Sequence, residues 1–213
     1  MHQVIKALSK TADRYSPSRM LSFNIAHVFK TMQLIDEQTR VSRETFVKEL
    51  GLGEGSVKTL VKHLKMHGLV ITSKGGTRLT EKGKTLFSKL DAAIPHESPI
   101  PKCSVGLGKF NHSILLKGVG SGINSGIEQR DFAKMMGATG ATTLLYEDGR
   151  FLMPGQTQDS LKNERHVRKL ITESLMPQNN DVIIIASAED KRTAELAAKY
   201  AALMTIANHH KHF

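Results

Sequence analysis

Apolar positions early in the chain recur at helical spacing. Val4, Ile5 and Leu8 predict a short helix within residues 1–12, and Tyr15-Ser16-Pro17-Ser18 interrupts it. Ile25, Val28, Phe29, Met32 and Ile35 predict a second helix over about 22–37. Ser42 suits the N-cap of a third, Arg43 to Leu50, which buries Phe46, Val47 and Leu50. Gly51 suits the left-handed position that ends a helix. A fourth helix follows over about 55–67, with Val57, Leu60, Val61 and Leu64 at i, i+3, i+4 and i+7. Leu69–Thr72 and Thr77–Thr80 read as strands around a turn at Ser73–Gly76, and Thr80 caps a closing helix, Glu81 to Leu90.

The pattern changes at residues 94–101, where three prolines fall within eight residues. Repeated prolines forbid a continuing helix and favour an extended connector. The expected organisation is therefore a first domain over 1–93, a linker over 94–101 and a second domain over 102–213. In the second domain, strands are expected at 109–117, 142–146, 150–153 and 181–186. Helices are expected at about 127–136, 160–175 and 189–207, and Asp148-Gly149 signals a tight hairpin. The order β-α-β-β-α-β is the ferredoxin-like one. The expected fold class is α+β: an N-terminal winged helix-turn-helix, then a ferredoxin-like α/β sandwich with an extra terminal helix.

Charge sharpens the first domain. The chain of 213 residues carries a formal charge of +10, and residues 1–98 hold 16 Lys/Arg against 9 Asp/Glu, a net of +7. A basic surface attracts polyanions in general. Lys58, Lys62 and Lys65 recur at i, i+4 and i+7, off the apolar stripe, with Ser56, Thr59 and His63 beside them. Two short helices joined by a glycine-containing turn form a helix-turn-helix, whose second helix fits the DNA major groove. Its lysines can neutralise phosphates while hydroxyl and imidazole groups reach base edges. The hairpin after it carries Lys74, Thr77 and Arg78, and the 54–78 stretch holds five Lys/Arg and one acid. Arg43, at the start of the preceding helix, completes the candidate DNA-binding set. The bland alternative is an ordinary solvated lysine face.

The segments ELGLGEGSVKTLVKHLKMHGLV and TSKGGTRLTEKGKTLF resemble the winged-helix domain of prokaryotic, especially archaeal, transcriptional regulators, over roughly residues 20–91. The resemblance implies DNA reading by the helix at 55–66. The segment GIEQRDFAKMMGATGATTLLYEDGRFLMPG is similar to an uncharacterised domain that follows winged helices in such regulators. By element order alone, the second domain also resembles the dimerising, effector-holding domain of leucine-responsive-type regulators.

The glycine-rich loop 118–126 leads into a helix and could present backbone N–H groups to an anion. Its ending matches neither a phosphate-binding loop nor a full dinucleotide fingerprint. Gly118, Gly120, Gly122, Glu128, Arg130, Asp131 and Thr142 are the candidate contacts for a small polar or anionic effector; the alternatives are a flexible connection for the loop, capping and local pairing for Glu128, Arg130 and Asp131, and a plain strand position for Thr142. No nucleophile–base pair is identifiable, and His112 and Ser113, adjacent in a strand, point to opposite faces. One cysteine, Cys103, permits no internal disulfide or thiolate cluster, and the His63/His67 pair reads as exposed or DNA-facing, not as metal ligands. The histidine-containing end, 208–213, reads as a frayed tail. No apolar run reaches the length of a membrane span and no signal peptide is evident, so a cytoplasmic protein is expected. The expectations are a homodimeric DNA-binding transcription regulator, no enzymatic activity, no cofactor, no metal and no membrane partner. An enzyme of nucleotide or cofactor metabolism with an attached winged helix, or a protein–protein adaptor, remains open.

Overall fold

The computed structural model describes residues 2–13 and 21–209. The break expected at Tyr15–Ser18 and the last residues of the tail, 210–213, lie outside that range. The chain divides into two compact units, Met1–Leu90 and Asp91–Phe213.

The first unit begins with helices α1 (His2–Ala12) and α2 (Ile25–Gln38). Asn24 caps α2, its side chain accepting from the Ala26 amide at 3.0 Å. Helix α3 (Arg43–Leu50) starts at Ser42, whose hydroxyl accepts from the Thr45 amide at 3.1 Å. It stops at Gly51, at φ 67° and ψ 25°, a left-handed conformation that costs little only without a side chain. Helix α4 (Glu54–Met66) follows α3 after three residues, and strands β1 (Val70–Ser73) and β2 (Gly76–Leu79) form an antiparallel hairpin. The core joins Phe29, Met32 and Ile35 of α2 to Phe46 and Leu50 of α3 and to Val57, Leu60 and Leu64 of α4, all essentially inaccessible to water.

Helix α5 (Glu81–Ala93) closes this unit against the hairpin. Gly83 in its first turn lies directly on the Leu69 carbonyl, and a β-carbon there would overlap that oxygen. The obstacle is backbone, so the helix itself would have to move. Gly83→Ala should destabilise the first unit by about 1–3 kcal/mol or more despite the better helix propensity of alanine. Thermal unfolding of the variant checks this. An unchanged or raised Tm would show that α5 is free to shift.

The second unit carries one five-stranded sheet in the order β3-β4-β7-β5-β6, every neighbouring pair antiparallel. The strands and helices in chain order are β3 (Glu97–Ile100), β4 (Phe110–Leu116), α6 (Ile127–Met135), β5 (Gly140–Glu147), β6 (Arg150–Leu152), α7 (Arg165–Leu175), β7 (Asp181–Ala188) and α8 (Lys191–His209). The α+β class, the sheet-bearing second domain and the final helix all match expectation. The expected linker does not: residues 97–100 within it form an edge strand, with Pro99 opposite His112. An edge strand tolerates proline because only one side must supply ladder N–H groups.

The arrangement also departs from a two-layer ferredoxin-like sandwich. The last strand, β7, is central, and helices cover both sheet faces. Ile183 sits opposite Leu115 and Leu144 on the face packed by Val167, Ile171 and Leu175 of α7. Ile184 sits opposite Ile114 and Thr143 on the other face, where α6 and α8 lie. A strand covered on both sides must be apolar throughout, which explains the run Val182-Ile183-Ile184-Ile185-Ala186. The alanines of α8, among them Ala194, Ala197, Ala198 and Ala201, let its backbone approach the sheet closely and are fully buried.

Candidate nucleic-acid interface

Helix α4 and the β1–β2 hairpin enclose an open groove of about 790 Å³. Arg43 from α3, Lys58, Lys62 and Lys65 from α4, and Lys74 from the hairpin turn line it. The four lysines are exposed, as is Arg43. Phe46, Val61 and Met66 provide its apolar floor. Among the described residues no carboxylate lines it, so the groove wall offers five cations and no anion.

Two backbone contacts fix the groove. Val41 and Thr77 exchange hydrogen bonds at 3.0 and 2.9 Å, joining the hairpin to the start of α3. The Leu69 amide donates to the Leu64 carbonyl at 2.9 Å and so ties the base of β1 to the end of α4. Thr80 donates its hydroxyl to the Gly68 carbonyl at 2.6 Å and accepts the Gly83 amide at 3.0 Å, which sets the hairpin exit and starts α5.

Among the ten residues expected to meet DNA, Arg43, Lys58, Lys62, Lys65 and Lys74 converge on the groove. Thr77 also lines it but is buried, held by its backbone pairing with Val41. Its role is to position the hairpin. Arg78 is exposed on the opposite hairpin face, beside Ile71. Ser56 is half-buried outside the groove lining, and Thr59 donates its hydroxyl back to the Gly55 carbonyl at 2.9 Å. That bond turns the hydroxyl into the helix.

His63 does not meet the solvent-facing set. It is 4% exposed, its Nδ1 lies 2.9 Å from the Thr11 carbonyl of α1, and its ring packs edge-on against Phe23 at 5.4 Å. It fastens α1 to α4. His63→Ala should lower the stability of the first unit by about 1–3 kcal/mol, by stranding the Thr11 carbonyl, and leave the affinity of the folded protein for duplex DNA within about twofold. Paired thermal melts and binding titrations distinguish this from a base-contacting role. A lost affinity at unchanged Tm would contradict it.

Arg40 joins the interface without having been expected there. Its guanidinium lies against the hairpin turn, where a β-carbon on Gly75 would stand 2.8 Å from Nη1. It precedes the α3 cap and follows no helical stripe. Only the long-range pairing of Val41 with Thr77 brings it to the hairpin.

The candidate effector loop of the second unit is closed by the protein itself. The Gly118 amide donates to Asp181 at 2.9 Å, the Gly120 amide to the Asn180 carbonyl at 2.9 Å, and the Ser121 amide to Asn180 Oδ1 at 2.7 Å. The Gly122 amide donates to the Val119 carbonyl at 3.2 Å. The Gly118 and Gly120 amides thus hold the 178–181 corner and the Gly122 amide bonds within the loop, so none of these three is turned to an anion. Glu128 is exposed, Arg130 pairs with Asp131 at 3.3 Å, and Arg130 and Thr142 open onto a separate cleft.

With this geometry in hand, similarity to known proteins falls on both units. Residues 25–94 match the family model described as CggR N-terminal DNA binding domain. The first unit carries a DNA-binding domain. Residues 107–206 match a domain of unknown function, DUF4443. A solved structure, a hypothetical protein from Pyrococcus horikoshii OT3, is similar over 88% of this chain and 94% of its own, at 26% identity and a TM-score of 0.69. Comparison with curated proteins gives no match. The matched DNA-binding region contains α2 to α5 and every groove-lining cation. Among the described residues no helix is long and apolar enough to cross a membrane.

Proposed function

We propose that the protein is a cytoplasmic, homodimeric transcription regulator whose first unit is a winged helix-turn-helix. Helix α4 enters the major groove, and the β1–β2 hairpin is the wing that follows the backbone. The observation that carries this reading is the groove of Arg43, Lys58, Lys62, Lys65 and Lys74 with no carboxylate among its lining residues. An ordinary solvated helix face would mix both signs, and a protein-docking groove would not need five cations. The second unit dimerises and takes a small effector, and the protein has no enzymatic activity of its own. An effector acts only by binding the DNA-competent and DNA-incompetent arrangements unequally.

Selection of duplexes from a random pool with the purified full chain tests the reading. A two-fold dimer enriches inverted half-sites about one helical turn, roughly 34–36 Å, apart or at a multiple of that spacing. Recovery of no enriched duplex would refute sequence-specific regulation. Enrichment of single, unrepeated sites would refute the dimer while sustaining DNA reading.

A further inference from the structure

We propose that the second unit binds a small organic anion, a phosphate or carboxylate on an apolar body, in the cleft where β4 and β5 begin and β7 ends. That cleft has a volume of about 810 Å³, within the range of small-molecule sites. Lys102, Lys109 and Arg130 converge on it from three separate segments, against the single carboxylate of Glu189. With Asp131 paired to Arg130, the charge left over at the cleft is one positive unit, carried by Lys102 and Lys109 against Glu189.

A further cation stands near the cleft. The ammonium groups of Lys109 and Lys191 lie 5.6 and 5.9 Å from the centroid of the same Phe110 ring. Two cations near one ring raise the positive potential beside the cleft that Lys109 lines. Lys191 also opens α8, a 19-residue helix with no acidic residue in its first turn. Asp190 caps that end, accepting from the Thr193 amide at 2.9 Å.

The apolar half of the ligand follows from Leu107. This residue is 70% exposed on the cleft lining, among the most exposed large hydrophobic side chains described. Thr142 lines the same cleft. A bare inorganic ion would leave Leu107 in water, whereas a ring or chain bearing the anionic group covers it. The identity of the site as a regulatory one rests on the effector reading above. Binding itself does not, and it is measured without DNA.

The test is a titration of the full-length protein with phenyl phosphate, followed by amide chemical shifts. Saturable shifts are expected at Lys109, Arg130, Gly140, Thr142 and Ser187. The variant Lys109→Ala/Arg130→Ala changes only exposed side chains, so its spectrum remains that of a folded protein, and its Kd should rise about tenfold or more. Absence of saturable shifts at these amides, or equal affinity in the variant, overturns the proposal. So does a duplex oligonucleotide that shifts the same amides and excludes phenyl phosphate, which would assign the surface to nucleic acid. Failure of this binding leaves the DNA interface of the first unit untouched.

Discussion

Replacing Lys58 and Lys62 together with alanine should weaken duplex DNA binding by about a hundredfold, roughly tenfold for each lysine. Both side chains are exposed on α4 and line the groove, and neither belongs to the buried apolar stripe of Val57, Leu60 and Leu64. Their removal therefore takes charge from the interface without opening a cavity. Melting temperature should stay within a few degrees of the parent, since surface changes of this kind are within about 0.5 kcal/mol each. Loss should be similar across DNA sequences, because an ammonium that meets phosphate carries no base information. Fluorescence anisotropy with a labelled duplex reads the affinity. Unchanged affinity would remove α4 from the interface.

The second large effect is expected at Lys199, in the other unit. Its side chain, on the inner face of α8, is fully buried, pairs with Glu97 of the edge strand, and lies 3.3 Å from Glu195. Glu97 also meets His112 at 3.3 Å. Removing one member of a buried ionic cluster strands the rest, at a cost of about 3–5 kcal/mol. Lys199→Met should thus lower the melting temperature of the second unit by roughly 10–20 °C. The same cluster sets an acid dependence. Burial by itself would raise the Glu97 carboxyl, but the Lys199 charge and the His112 contact outweigh it and hold it at about 2, below the ordinary 4.5. A depressed carboxylate stabilises the fold fully above its unfolded value and loses that contribution as pH falls from about 4.5 toward 2. The contribution is of order 3 kcal/mol. Calorimetric melts between neutral pH and about pH 2 should show this loss in the parent and a shallower one in Lys199→Met. Identical acid limbs would contradict the assignment.

Local chemistry made much of the first unit legible. The Ser42 cap, the Gly51 stop, the α4 stripe and the Gly75-Gly76 turn each act within a few residues, and each lies where it was expected. His63 was misplaced although its phase was available: it falls three residues after Leu60, on the buried side of α4. Thr77 shares a hairpin face with the buried Leu79, so alternation alone already turns it inward. Arg40 had no local signal, because its position depends on a pairing between residues 41 and 77.

The second unit was less legible for the same reason. Helix and strand segments appeared in the right order, but strand order is set by long-range pairing that no local pattern encodes. Nothing near Val182-Ile183-Ile184-Ile185 says which strands flank it, only that both of its faces are covered. Pro99 and Pro101 concealed an edge strand behind the composition of a linker. The glycine loop looked open because Asn180 and Asp181, which occupy its amides, lie some sixty residues away.

The central claim is that duplex DNA meets the groove of α4 and the hairpin through its phosphates. The most direct measurement is the slope of log affinity against log salt for the full chain on one duplex. Counterion release predicts a steep linear fall, about −0.9 per phosphate neutralised, and a slope shallower by about 2 in Lys58→Ala/Lys62→Ala. A flat dependence, or equal slopes in parent and variant, would contradict it.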